Sequence, residues 1–309
     1  MKNVKQVLKK RKRDMSIIRF QELFKTEENC HDYLLHLKWP NGFTCSKCGN
    51  TKYYFVKRLK LYQCTYCHKQ HSVTSETLLH KSHLPLVKWF WAIYLVSRDK
   101  RGCSALSLKN MLQISYPSAW LFLQKLRTAM AEKEQDYILA GLVVLDDAFF
   151  GGASKEAKRG RGTNISKVLV AISLNKDNSS RFAKMEVVND LKSKTISPIV
   201  EEMILKGSLI RSDSFKSLSY LSGYEHDLIV AGHSKQKART VFKWANVLIS
   251  NAKALILGTY HGLPDKHLGK YLKEYCYRFN RRYCEHIIFG KLVNACVLAK
   301  PITYAELTL

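Results

Sequence analysis

Asp146 interrupts an apolar run, Leu142 to Phe150 (LVVLDDAFF), and Asp213 closes a second, LIRSD. A carboxylate set among apolar residues is costly unless a metal, a cation or hydrogen bonds compensate it. Two carboxylates brought within a few ångströms repel, and a divalent cation is the usual remedy. Hard oxygen ligands with open positions suit Mg²⁺ or Mn²⁺. A third polar group recurs with an apolar stripe. Trp244, Leu248, Asn251 and Leu255 follow the spacing i, i+4, i+7, i+11, which is one face of a helix. Asn251 is the only polar member, so it is expected to face the surface on which the helix packs. Its amide oxygen can ligate a cation. Cations held this way clamp a phosphodiester, activating water or a 3′-hydroxyl and stabilising the leaving oxygen, with no covalent enzyme intermediate. Lys253 lies two residues on, about 200° round the helix, and is expected to face away.

A second constellation is made of sulfur. Cys45 and Cys48 form one CxxC pair, Cys64 and Cys67 another, with fifteen residues between the pairs. The intervening runs, Tyr53 to Val56 and Leu59 to Gln63, read as a β-hairpin that brings the two knuckles together around one tetrahedral ion. This predicts a structural Zn²⁺ ribbon. His68 and His71 lie close by, but four thiolates already satisfy the ion, so both are expected at the surface. The other five cysteines have no matching spacing and read as small buried hydrophobes.

The elements that must position these groups can be read along the chain. Residues 1–16 form a basic arm, with seven Lys or Arg and no acid in the first 13. Residues 17–80 read as an N-terminal helical stretch followed by the ribbon. Residues 81–138 read as helical. Within them, Ser104 to Leu112 and Ser118 to Met130, joined at Ile114-Ser115-Tyr116, resemble a DNA-binding helix-turn-helix, with Lys125 and Arg127 on the second helix. Residues 139–300 alternate as β-β-β, then α-β, then β-α, the layout of an α/β, ribonuclease-H-like domain with a mixed sheet and flanking helices. In that layout the strands carrying Asp146 and Asp213 are neighbours at the sheet centre. From Asp265 to Ala299 the pattern predicts continuous helix.

The chain has 309 residues, 51 Lys and Arg against 25 Asp and Glu, and a net charge of +26. With 46% hydrophobic residues it has ample material for a core. Such a charge calls for a polyanionic partner, nucleic acid first. The apolar stretches are too short for a signal peptide or a membrane span, so a cytoplasmic protein with reduced cysteines and no membrane partner is expected. The sequence contains no GxxxxGK[ST], HExxH or GxSxG, which argues against an ATPase, a zinc protease and a serine hydrolase.

Several motifs together resemble those of bacterial insertion-sequence transposases of the ISXO-like group, which join an N-terminal zinc ribbon to a DDE-type catalytic domain. They are the paired CxxC motifs, Val143 to Gly152 (VVLDDAFFGG), Arg211-Ser212-Asp213, Ile249 to Lys253 (ISNAK), Gly258 to Gly262 (GTYHG) and Tyr277 to Arg282 (YRFNRR). The resemblance runs from about residue 17 to 298. It implies metal-dependent cleavage and strand transfer of double-stranded DNA at terminal inverted repeats, with at least a dimer on DNA and a bacterial, nucleoid-associated location. It carries Asp146, Asp213 and Asn251 over as the catalytic, cation-holding positions. Asp147 stands where the family usually has Glu. Strand alternation sends Asp146 and Asp147 to opposite faces, and the motif register selects Asp146. Glu274 is a candidate further carboxylate that would assist the catalytic positions. The expected DNA contacts are Lys125, Arg127, Lys158, Arg159, Arg161, Arg281 and Arg282. Two other functions fit parts of the sequence: a zinc-ribbon DNA-binding regulator without catalysis, and a ribonuclease-H-like nuclease without transposition. A regulator has no use for two carboxylates at the centre of a sheet.

Overall fold

The computed structural model describes residues 15–151, 165–213, 217, 221–229, 240–261 and 263–308. The basic arm through Asp14 and the loop residues Lys158, Arg159 and Arg161 lie outside the described residues.

In chain order the elements are α1 (Ile17–Leu23), α2 (Glu27–Lys38), β1 (Tyr53–Val56), β2 (Leu61–Cys64), β3 (Gln70–His71), α3 (Leu86–Arg98), α4 (Ala105–Leu112) and α5 (Tyr116–Gln135). There follow β4 (Leu142–Phe150), β5 (Ser166–Leu174), β6 (Ser180–Val188), α6 (Ser193–Met203), β7 (Leu209–Asp213), β8 (Glu225–Ile229), α7 (Lys243–Leu255), α8 (Asp265–Asn280), α9 (Glu285–Leu298) and α10 (Tyr304–Thr308). The chain forms two compact units. One comprises the residues up to Ala129 together with Cys284–Leu309, and the other Met130–Tyr283. No helix among the described residues is long and apolar enough to cross a membrane.

In the first unit, the helical stretch expected from Ile17 to Leu37 is two helices. Thr26 divides them, because its hydroxyl accepts the Asn29 N–H while the Asn29 side chain returns a bond to the Thr26 backbone. Glu27 reaches further, accepting the backbone N–H groups of Leu86 (2.9 Å) and Val87 (2.8 Å) at the start of α3. A carboxylate there suits the positive end of a helix. The unit's core is aromatic: Phe20 stacks on Tyr94 at 4.4 Å, and Phe24 packs on Phe90 at 4.8 Å and on Phe289 of α9 at 5.3 Å. The helix pair α4–α5 is present, with Gln113 in the left-handed conformation at the turn and Ser115 capping α5. The ribbon is a three-stranded antiparallel sheet in the order β1-β2-β3.

The second unit is a five-stranded mixed sheet in the order β6-β5-β4-β7-β8. β4, β5 and β6 form an antiparallel meander, and β7 and β8 run parallel to β4. Alternate residues of β4 serve two different cores. Val144, Ala148 and Phe150 pack with Ala245, Leu248 and Ala252 of α7 and with Leu268, Leu272 and Cys276 of α8. Val143 and Leu145 pack on the other face with Ile196, Val200 and Met203 of α6. The strand is buried on both sides, which is why it reads as a continuous apolar run. This is the expected ribonuclease-H-like layout.

One expectation fails here. The helix predicted from Asp265 to Ala299 ends at Asn280 and restarts at Glu285. The Asn280 side chain bonds both the N–H and the carbonyl of Ala183 on β6, and Arg282 binds the Ser180 and Arg181 carbonyls. These bonds tie the chain to the sheet edge and end the helix.

Candidate active site and zinc centre

β4 and β7 pair in parallel with Leu142 beside Leu209, Val143 beside Ile210 and Val144 beside Arg211. The same offset of 67 carries Asp146 to Asp213 (213 − 146 = 67). In a parallel pair, residues in register point to one face. Asp146 shares its face with Val144 and Ala148, the face that α7 covers. Asp147 points to the α6 face, and its backbone N–H donates to Asp146 Oδ1 at 2.9 Å. Both carboxylates of the pair are half-buried. Two positions before Asp213, Arg211 is held by Asp227 of β8, its own register partner, at 2.7 Å.

Asn251 requires a correction of detail. The buried stripe of α7 is Ala245, Leu248, Ala252 and Leu255, and Asn251 is exposed. At 100° per residue Asn251 lies roughly 80° from the centre of that seam, so it borders the sheet-facing stripe instead of belonging to it. Sequence spacing alone misplaces the seam because the apolar pattern starts at Trp244. Trp244 is a flanking residue whose indole N–H donates to the Asn178 carbonyl at 2.8 Å. The Asn251 side chain hydrogen-bonds the Tyr275 hydroxyl. Burial raises the Tyr275 pKa and this contact opposes the rise, as an amide N–H donor does. Sequence reasoning misses Tyr275, which there is one of several aromatics on an amphipathic helix.

Lys253 is exposed, with Nζ 5.6 Å over the Phe150 ring. It borders a cavity of about 360 Å³ with Phe149, Gly151, Leu257 and Asp265. Glu274 is buried and ion-paired to Arg278 one helical turn on, at 2.7 Å. That pairing engages the carboxylate within α8.

The four ribbon cysteines bring their sulfurs within 4.8 Å of one another. Cys45 and Cys67 are 3.5 Å apart, Cys48 and Cys64 3.6 Å. Four sulfurs about 2.3 Å from a tetrahedral zinc ion lie roughly 3.8 Å apart, so the cluster fits structural Zn²⁺. Burial alone would raise the Cys64 thiol, but the Cys67 backbone, the Asn50 amide and the Tyr66 backbone pull it down, while the neighbouring thiols push Cys48 up, so the cluster shares its charge unevenly. A ready thiolate is what the ion requires. The expectation that His71 is a surface group is wrong. It is 1% exposed, and its Nε2 lies 3.3 Å from Cys45 Sγ. Asn50 Nδ2 donates to Cys64 Sγ at 3.4 Å. His68 is exposed, as expected. Cys30, Cys103, Cys276 and Cys296 are buried, and Cys284 is half-buried.

The basic residues expected to meet DNA are engaged elsewhere. Lys125 is 8% exposed and donates to the Leu78 carbonyl, and Arg127 is 2% exposed. Residues 122–127 of α5 are buried without interruption, so this stretch presents no open recognition face. Arg281 is 5% exposed, paired with Glu134 of α5 and stacked 3.6 Å over the Tyr277 ring. Arg282 is bound to backbone carbonyls of β6. Lys125, Arg127 and Arg281 are buried and Arg282 is half-buried, so for these four charge in the sequence is not open charge at the surface.

Residues 138–280, the span of the mixed sheet and of Asp146, Asp213 and Asn251, match the ISXO2-like transposase domain. Residues 25–70, the span of the four cysteines, match the transposase zinc-ribbon domain. The chain carries an ISXO2-like transposase domain behind a transposase zinc ribbon. Between them the two matches cover more than half of the 309 residues. A comparison with curated proteins finds no match. The ISXO2-like domain gives the chain a transposase function and a ribonuclease-H-like fold, and the two domains together imply DNA binding by an insertion-sequence protein. The zinc-ribbon match agrees with the four-sulfur cluster in supporting structural zinc.

Proposed function

We propose that this transposase cuts DNA at the terminal inverted repeats of its insertion sequence and joins the cut ends to target DNA. Asp146 and Asp213 are the catalytic carboxylates, and Asn251 is the third cation-holding position. The observation that supports the proposal is the β4–β7 register, whose offset, carried two residues beyond the Val144–Arg211 pair, aligns the two carboxylates on the sheet face next to α7. A DNA-binding protein without catalysis has no need of that pair.

Asp146 and Asp213 would hold Mg²⁺ or Mn²⁺, with the Asn251 amide oxygen adding a neutral ligand. The cation, when bound, supplies Lewis-acid stabilisation of the phosphoryl oxygens. The protein's own part is to keep the two carboxylates on rigid central strands, so that they are positioned before DNA arrives. The hydrogen bond to Tyr275 steadies the Asn251 amide at the edge of the site. Joining two ends calls for two active sites, and so for a dimer or larger assembly on DNA. The DNA substrate places the work at the bacterial nucleoid.

The test is incubation of the zinc-loaded protein with end-labelled DNA carrying the flanking inverted repeats, with and without Mg²⁺. Nicking at the repeat end only with the cation supports the proposal. Binding without nicking under any divalent cation rejects it in favour of a regulator. Cation-dependent nicking at random positions rejects it in favour of a nuclease.

A further inference from the structure

The ribbon sheet has two unlike faces. Its register puts Tyr53 beside Cys64, and Phe55 beside Tyr62, which is in turn beside His71. That face is covered over β2 and β3, where Tyr62, Cys64 and His71 are buried and Phe43 and Trp39 pack on Tyr62, whereas Tyr53 and Phe55 on β1 stay partly open at 44% and 43% exposure. The alternate residues form the opposite face. Tyr54 stands beside Gln63, which stands beside Gln70, and Val56 stands beside Leu61. Tyr54 is 69% exposed, Gln70 is exposed, and Val56, Leu61 and Gln63 are half-buried. Gln70 Nε2 donates to Gln63 Oε1 at 3.1 Å, joining the two amides on the face that carries Tyr54.

This open face is surrounded by positive charge. From Cys45 to Gln70 the chain has six Lys or Arg (Lys47, Lys52, Lys57, Arg58, Lys60 and Lys69) and no acid. Lys60 and Lys69 pair with Glu28 and Glu76, whereas Lys47, Lys52, Lys57 and Arg58 are exposed. An aromatic ring, apolar side chains and amides on a flat sheet, bordered by cations, match nucleic acid in both charge and shape. The ring decides which kind. In a duplex the base faces are hidden by stacking, whereas in a single strand they are open, so an exposed ring gains most by stacking on an unpaired base. Aromatic residues on open sheet faces bind single strands by this means. A four-residue strand spans roughly 13 Å, room for about two or three nucleotides.

We propose that the Tyr54 face of the zinc ribbon is a binding site for unpaired DNA bases. Tyr54 supplies the stacking surface, the Gln63–Gln70 pair supplies hydrogen bonds to base edges, and Lys52, Lys57 and Arg58 hold the backbone. This inference rests on the reading that the protein acts on DNA and adds the strand state that the ribbon selects.

Fluorescence anisotropy with the full, zinc-loaded chain tests it, using labelled oligo(dT) and a duplex of equal length. Tyr54→Ala is expected to weaken oligo(dT) binding about tenfold or more while shifting duplex binding by less than about twofold. Tyr54→Phe keeps the ring and is expected to bind like the wild type. Because Tyr54 is exposed, both variants should retain full zinc content, which elemental analysis checks. Equal losses on both DNAs, no loss on either, or a self-association that disappears in Tyr54→Ala with oligo(dT) binding intact would each overturn the proposal. Wild-type binding to duplex but not to oligo(dT) also overturns it and leaves the DNA reading standing. Binding to neither DNA overturns both.

Discussion

His71 Nε2 lies 3.3 Å from Cys45 Sγ on the closed face of the ribbon sheet, where the imidazole is packed against Phe43 and Trp39. Burial lowers the His71 pKa, and the tautomer with its proton on Nε2 can donate to the Cys45 sulfur. Side chains that hydrogen-bond a metal ligand fix its orientation, and their loss typically costs about 10–100-fold in metal affinity. His71→Phe keeps the packing and removes the donor. It should release zinc to a chelator about tenfold faster or more than the wild type, read with a colorimetric zinc indicator. An unchanged release rate would reduce His71 to a packing residue.

Cys64→Ser should lower zinc content in elemental analysis, because serine replaces a thiolate with a poor zinc ligand. Chelation of the wild type should unfold the ribbon while leaving the thermal transition of the Met130–Tyr283 unit in place, since that unit has its own two cores. Unchanged zinc content in the variant would reject the four-sulfur centre.

Arg281 and Glu134 form a buried ion pair that ties α8 to the end of α5. Removing one partner leaves the other charge buried, which costs about 3–5 kcal/mol. Arg281→Ala should therefore lower the unfolding free energy by about that amount in denaturant titrations. Deleting a side chain that binds phosphate lowers the salt slope of DNA binding by about one unit, whereas Arg281→Ala and Lys125→Met should leave the slope unchanged. A reduced slope at normal stability would restore these residues as DNA contacts.

Burial also lowers the Lys125 pKa below its ordinary value of 10.5. Between the folded pKa and 10.5 the unfolded chain binds more protons, so this group makes stability rise with pH through that window. Lys125→Met removes the contribution. The variant should show a flatter stability-against-pH curve on the alkaline side, measured by thermal unfolding.

Asn251 is exposed, so Asn251→Ala should change the unfolding free energy by no more than about 0.5 kcal/mol. Cleavage should nonetheless fall sharply and require more Mg²⁺ for half-maximal rate. Tyr275→Phe, which frees the amide to rotate, should raise the Mg²⁺ requirement to a smaller extent. Normal cleavage by Asn251→Ala at low Mg²⁺ would remove this residue from the site.

Much of this architecture is visible in the sequence, for identifiable reasons. β4 and β7 are short apolar runs ended or interrupted by carboxylates, and their order among the other elements already implies that they are neighbours. The two CxxC pairs carry their own geometry. What stays hidden depends on residues far apart in the chain. His71 sits on a two-residue strand, too short for alternation to show which face it takes. Arg281 reads as one more cation, because its partner Glu134 is 147 residues away. The α7 seam is misplaced by one flanking residue, because a tryptophan at the edge of a core and one inside it read alike.

Asp146 and Asp213, not Asp147, are the residues assigned to cutting DNA. The most direct measurement compares Asp146→Asn, Asp147→Asn and Asp213→Asn in the Mg²⁺-dependent cleavage assay on DNA carrying the terminal repeats, with end binding measured in parallel. Asp146→Asn and Asp213→Asn should lose cleavage and keep end binding, while Asp147→Asn, on the α6 face, should still cut. Wild-type cleavage by Asp213→Asn, or its loss in Asp147→Asn but not in Asp146→Asn, would contradict the assignment.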